Sequence, residues 1–304
     1  LYGADGDIDA NNRSFVPQYP LWTDGAQKTR WVRFPDGAHI DVTDPDGWSF
    51  PTGTTFWKEF AWRGRPVETR MIRILADGRA AYATYVWNSE GTDAVLAPEH
   101  GVARGYEVAP GKWHGIPATS DCRNCHESGP SRILGFSAMQ LSNDRDPLAP
   151  HAESITPSSL TLATLVAEDR LRPARALMAT QPPRIRARDS IERAALGYLS
   201  TNCGSCHNAR GPLARLGFSL RHDYPGTRGA HEPAVASTIG HAGRFAVHGS
   251  VDGAKLIEPG APERSAVVHR MQSRRASTQM PPLGSALVDS VGAALVSRWI
   301  ASMR

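Results

Sequence analysis

Cysteine is scarce in this chain, four residues in 304. So few thiols cannot build a disulfide-dense scaffold, and the chain is long enough not to need one. Long hydrophobic runs are absent too. None approaches the roughly 20 residues that cross a bilayer, so no transmembrane segment is expected. A strong charge bias is also missing: Lys and Arg total 34 against 30 Asp and Glu, a net charge of +4. That surplus is too small to argue for nucleic acid and suits solubility and steering towards an acidic partner. Residues 1 to about 118 hold no repeat and no low-complexity segment. With 40% hydrophobic and 21% charged residues, the composition is globular, and the length allows two domains.

The four cysteines fall into two copies of one pattern, Cys122-Arg123-Asn124-Cys125-His126 and Cys203-Gly204-Ser205-Cys206-His207. Each reads C-x-x-C-H, the attachment pattern of c-type haem. Two thiols at this spacing reach the two vinyl groups of one porphyrin, and the histidine that follows lies under the iron. A four-thiolate zinc site would place its second pair within about 20 residues and leaves both histidines unexplained. A thioredoxin-like pair would need a βαβ setting, which is not evident. The expected cofactors are therefore two covalently bound haems c. Cys122, Cys125, Cys203 and Cys206 would attach them, with His126 and His207 as proximal iron ligands. Such haems are attached outside the bacterial cytoplasm, so a periplasmic protein is expected. No signal peptide is visible at the loop-like start Leu1-Tyr2-Gly3, so an export leader is expected that this chain does not carry. Four haem propionates would offset much of the positive surplus.

Residues 1 to about 118 read as β-rich. Pro35-Asp36-Gly37, Pro45-Asp46-Gly47, Pro51-Thr52-Gly53 and Asp77-Gly78 are turn signals. Between them lie runs of β-branched and aromatic residues: Trp31–Phe34, Thr54–Phe60, Val67–Ile74 and Ala81–Trp87. Together they suggest an antiparallel sandwich or a curved sheet. Within the second run Lys58 shares a strand face with Phe56 and Phe60. It is either an edge lysine reaching water or a neighbour of the first haem.

The haem-neighbour reading comes from a resemblance. The order of β-domain, Phe50-Pro51-Thr52-Gly53-Thr54, Trp57-Lys58-Glu59-Phe60 and then C-x-x-C-H resembles the β-fold mono-haem cytochromes. These are cytochrome c-prime-beta and the hydroxylamine-oxidising cytochromes with a lysine-cross-linked haem. The resemblance implies that Lys58 contacts or bonds the porphyrin and that the iron is five-coordinate. Over most of its length the chain also resembles bacterial di-haem c-type proteins, through Tyr19-Pro20-Leu21-Trp22-Thr23-Asp24-Gly25-Ala26, Glu68-Thr69-Arg70, Trp87-Asn88 and the two C-x-x-C-H sites. The distal position of the first haem stays open among Met139, His100, His114 and no protein ligand. Met139 follows His126 by only 13 residues.

Residues 142–187 read as a connector rich in proline and arginine, with a short helix within Ser159–Leu171. Its arginines, with Arg188 just beyond, are either a solvated basic stretch or partners for propionates or a docking protein. Residues 188–304 place a helix capped by Asp189 before Cys203 and a final helix capped near Asp289. The order helix, C-x-x-C-H, Met280-Pro281, helix resembles a class I cytochrome c domain. That implies Met280 as distal ligand and a close crossing of the two helices at Gly197 and Gly292. The interval from His207 to Met280 is 73 residues, longer than compact members have, and contains His222, His231, His241 and His248 as alternative ligands. Met280 could also be a plain loop residue.

The expected fold is therefore α+β. It comprises an antiparallel β-domain, residues 1–141, with a c-haem at its C-terminal end, a connector 142–187, and an all-α class I cytochrome c domain, 188–304. Three functions compete. One is a periplasmic di-haem electron carrier docking on a redox protein with an acidic surface. Another is an oxidoreductase with a first haem open to peroxide, nitric oxide or hydroxylamine, the second haem relaying electrons and Lys58 nearby. The last is a cytochrome docked through its β-domain aromatics Trp22, Trp31, Trp48 and Trp57.

Overall fold

The computed structural model describes residues 1–3, 5–224, 231–245 and 254–304. They form two compact units: residues 1–18, 25–144 and 153–183, and residues 19–24, 145–152 and 184–304. Among the described residues no helix is long and apolar enough to cross a membrane.

The first unit is built on strands β1 (Arg13–Ser14), β2 (Gln27–Arg33), β3 (Ile40–Asp41), β4 (Thr55–Trp62), β5 (Arg65–Ile74), β6 (Ala80–Trp87), β7 (Ala94–Leu96), β8 (Val102–Ala109) and β9 (Lys112–Ile116). A six-stranded sheet has the order β1-β2-β4-β5-β6-β7, every neighbouring pair antiparallel. The β-branched and aromatic runs lie in these strands because alternation lets one face bury its apolar side chains. The β4–β5 hairpin turns on Arg63 and Gly64, at φ of 53° and 76°. Two successive positive φ values match the right-handed twist of a hairpin. Two-stranded β8–β9 stands apart and closes on Pro110-Gly111, with Gly111 at φ 70°.

Helix α1 (Thr119–His126) follows β9, and the chain then returns Phe136 to the sheet. Phe136 is fully buried, with the rings of Phe15, Phe34, Trp48, Phe50 and Phe56 at 4.9 to 6.2 Å. Burying one such ring stabilises by about 2 to 3 kcal/mol, so this aromatic cluster is a main anchor of the segment after His126. Helix α2 (Leu162–Ala167), strand β10 (Leu171–Arg172) and helix α3 (Leu177–Thr180) complete the unit, with β10 pairing in parallel with β3. Trp31 and Trp48 are core residues, while Trp57 is half-buried.

The second unit holds α4 (Ser190–Asn202), α5 (Pro233–Thr238), α6 (Ala266–Gln272) and α7 (Ser290–Ala301). Asp189 and Asp289 cap α4 and α7, accepting from Glu192 N and Gly292 N at 2.9 Å. Each helix start is also tied to the opposite helix. Tyr198 Oη donates to Asp289 at 2.9 Å and Trp299 Nε1 to Glu192 at 3.0 Å. The helices meet at Gly292, where an added Cβ would lie 2.3 Å from the Tyr198 ring. Gly197 serves a different contact: its absent Cβ makes room for Tyr19, whose ring would be 2.2 Å away.

The expected α+β class, with an all-α cytochrome c domain behind a β-domain, is overturned. Among the described residues the chain is mainly β-sheet, with 21% helix and seven helices, four of them of seven residues or more. Between Asn202 and Ser290 the described residues form only α5, α6, short 3₁₀ turns and isolated bridges such as Ile239 with Ile257. Gly and Pro punctuation explains this. Gly211-Pro212, Gly217, Gly240 and Pro281-Pro282 break helical periodicity before a third or fourth turn can form.

Candidate functional site

Helix α1 carries Cys122, Cys125 and His126 within two turns. The sheet face beside it is set by register. Arg30 on β2, Lys58 on β4, Arg70 on β5 and Thr84 on β6 are consecutive cross-strand partners, so they share one face. A cleft of about 550 Å³, within the range of cofactor sites, runs along β6 and α1 and is lined by Tyr82, Thr84, Leu96, Pro117 and Cys122 among others. The Tyr82 and His126 ring centroids are 5.8 Å apart.

The His126 ring is held by its Nδ1, which lies 2.7 Å from Arg132 O. A carbonyl only accepts, so Nδ1 carries the proton and Nε2 keeps its lone pair. Iron-ligating histidines are oriented by such a bond on the other ring nitrogen. Desolvation pushes the His126 pKa down to about 4. The Arg132 bond opposes this, and Lys58 and Arg70 add to it. The same Arg70 acts electrostatically on Cys122 and Cys125. Lys58 and the first C-x-x-C-H motif are thus neighbours in one unit. Burial first, then Arg30, Lys28 and Arg70, holds the Lys58 ammonium well below its usual pKa.

A buried ionic group stands behind the motif. Glu68 is fully buried and accepts from Arg70 Nε at 3.0 Å and His114 Nε2 at 2.9 Å. Burial pushes Glu68 upward, but the Arg70 guanidinium and the bonds from His114 and Arg70 hold its pKa at about 2. With Nε2 engaged, His114 serves Glu68 instead of standing ready as a distal ligand. Met139 is a core residue whose carbonyl and sulfur face the Gln18 amide at 3.0 and 3.7 Å. His100 is exposed in the turn before β8.

The second motif begins where α4 ends. Cys203 is the C-cap of α4, and burial, with Cys206 close by, pushes its thiol up to about 12. Gly204 is required here, because an added Cβ would lie 2.4 Å from Ser200 O and 2.8 Å from Arg221 Cα. The His207 ring stacks on Phe218 with centroids 4.8 Å apart, and its buried Nδ1 takes no hydrogen bond from the described residues. Met280 is half-buried, and its N donates to Arg270 O at 2.9 Å. Arg270 in turn acts electrostatically on His207, so one residue links both candidate ligands. His222 Nδ1 is 2.9 Å from Glu232. His231 and His241 are exposed, and His248 lies outside the described residues.

Sequence reasoning missed the role of Asp24. The segment 19–24 belongs to the second unit. Trp22 N donates to Asn202 Oδ1, next to Cys203, and Asp24 accepts from Ala286 N and Leu287 N in the stretch after Met280. The Asp24-Gly25 pair was the available signal of a tight turn, which the structure forms with φ of 47° and 73°. The arginines of the proline-rich stretch are held as well. Arg172 pairs with Asp169, Arg186 with Glu232 and Arg188 with Glu192.

Among the described residues no disulfide joins any of the four cysteines, and no three or more His, Cys, Asp or Glu converge on a bare metal ion. A C-x-x-C-H haem asks for less from the chain, two thiols and one oriented imidazole beside a cleft, and the first motif has these. No family model, no curated protein and no solved structure matches the chain.

Proposed function

We propose that the protein is a periplasmic di-haem c-type cytochrome that passes electrons between redox partners. The observation that carries the reading is His126, fixed through Nδ1 by Arg132 O beside a cleft that reaches Cys122. Cys122 and Cys125 would hold one haem with His126 as proximal ligand. Cys203 and Cys206 would hold the other, with His207 proximal and Met280 distal. The haem irons supply one-electron chemistry when bound. The chain orients the two imidazoles, shields them from water and, at the second site, offers a thioether that favours a higher potential. The modest positive charge suits transient docking on an acidic partner, at a rate that falls with salt.

A second reading is favoured by one observation. His114 and Met139, two candidates for capping the first haem, are committed to Glu68 and Gln18. An open position there would let peroxide, nitric oxide or hydroxylamine bind, with Lys58 alongside. The optical spectrum of the reduced protein, taken with and without carbon monoxide, separates the two readings. The carrier reading expects two low-spin haems that ignore carbon monoxide. One high-spin haem that binds it selects the oxidoreductase.

A further inference from the structure

We propose that Lys58 and Arg70 form a seat for a small planar oxyanion, of the nitrite or formate class, beside the first C-x-x-C-H motif. Arg30, Lys58 and Arg70 stand side by side on three adjacent strands. Arg30 is answered by Glu153 at 2.6 Å and Arg70 by Glu68 at 3.0 Å. Lys58, between them, takes no hydrogen bond and no ion pair among the described residues. Its Nζ lies 4.8 Å from the Phe60 ring centroid, with Arg70 Cζ at 4.3 Å and Lys28 Nζ at 5.9 Å from the same ring. Cations crowded on one apolar ring repel each other, and half-buried Lys58 is the one that no carboxylate contacts, Glu153 acting on it only at a distance. An anion seated on it supplies the missing charge.

Three further observations define the ligand. The cations sit on hydrogen-bonded strands, so the seat is held in place before anything binds. Glu68 takes Arg70 Nε and Nη2, so Arg70 Nη1 and the Lys58 ammonium are the donors left for two oxygens of a small anion. Arg70 acts on both Cys122 and Cys125, which places the seat by the thiol edge of the site. Haem propionates leave the porphyrin from the edge opposite its vinyl groups, so the carboxylates of the attached cofactor are the weaker claimant. The location beside a haem rests on the proposed function; anion binding itself does not.

The test is calorimetric titration of nitrite, and separately of formate, into the oxidised full-length protein. Saturable binding at one site is expected, weakened at least tenfold in Lys58→Met and within about threefold of wild type in Lys58→Arg. Lys112→Met, at an exposed lysine of β9, is expected to bind as wild type does. Should Lys58→Met fail to fold, acylation of Lys58 in the wild type by acetic anhydride is followed by mass spectrometry. Saturating formate, which favours the unreactive ammonium, is then expected to slow it about tenfold. No saturable binding, binding unchanged in Lys58→Met, or no protection overturns the seat and leaves the cluster to the propionates. Haem content is measured on the same sample. Two haems without anion binding removes the seat and keeps the cytochrome. Anion binding without haem at Cys122 does the reverse.

Discussion

Asp24→Ala is expected to cost about 3 kcal/mol of stability and to release the stretch that carries Met280. The Asp24 carboxylate is buried and accepts from Ala286 N at 2.7 Å and Leu287 N at 2.8 Å. Both lie within seven residues of Met280. Alanine removes Oδ1, the one oxygen that accepts from both amides, and must also hold the left-handed backbone at Asp24, which aspartate and asparagine tolerate better. With Met280 as distal ligand, as proposed, the change should read out at the second haem. That haem should lose its six-coordinate spectrum and begin to bind carbon monoxide, while Asp24→Asn, which keeps one oxygen acceptor, recovers much of both losses. Asp36→Ala, at an exposed turn residue, should stay within about 0.5 kcal/mol of wild type. Chemical denaturation and the carbon monoxide difference spectrum measure the two effects. An Asp24→Ala protein with wild-type stability and an unreactive second haem would show that this carboxylate does not hold the Met280 stretch.

Glu68→Ala is expected to be still more damaging, at about 3 to 5 kcal/mol, because it strands Arg70 and the fully buried His114 without their shared carboxylate. The pH dependence follows from the same pair. Glu68 has a folded-state pKa of about 2 against 4.5 as its ordinary value. A depressed carboxylate contributes stability that is fully present above the unfolded value and is lost as pH falls through the folded one. The contribution, about 3 kcal/mol for a shift of this size, is thus present at pH 6 and drains away between about pH 5 and pH 2. Glu68→Gln should flatten that acid limb in urea titrations run from pH 6 to pH 2. An acid limb of unchanged slope in Glu68→Gln would assign the acid sensitivity to other groups.

The parts of the molecule legible in the sequence are those set by local chemistry. The strand runs at Trp31–Phe34, Thr54–Phe60, Val67–Ile74 and Ala81–Trp87 lie within or against β2, β4, β5 and β6. Asp189 and Asp289 cap the helices they precede, since an acidic side chain is the natural acceptor for a first-turn amide. Long-range partners were not legible. Lys58 could be placed on a strand face with Phe56 and Phe60, but its flanking by Arg30 and Arg70 depends on register across three strands. The Tyr19-to-Asp24 run sits among β-rich residues in sequence and belongs to the second unit in space, because Tyr19 fills the gap at Gly197 and bonds Asp146 at 2.9 Å. The all-α domain failed for a related reason. Two well-capped helices separated by a glycine- and proline-rich stretch resemble a helical domain in order alone, and order does not supply the missing helical residues.

The most direct test of the central reading is haem stoichiometry in protein exported to a periplasm that attaches c-type haem. Intact-chain mass and the pyridine haemochrome spectrum give it. Two covalently bound haems per chain are predicted for the wild type, one for the Cys203→Ala/Cys206→Ala variant, one for Cys122→Ala/Cys125→Ala and none when all four thiols are removed. A folded wild-type chain that leaves the periplasm without haem, its four cysteines still free or bound to zinc, would contradict the account.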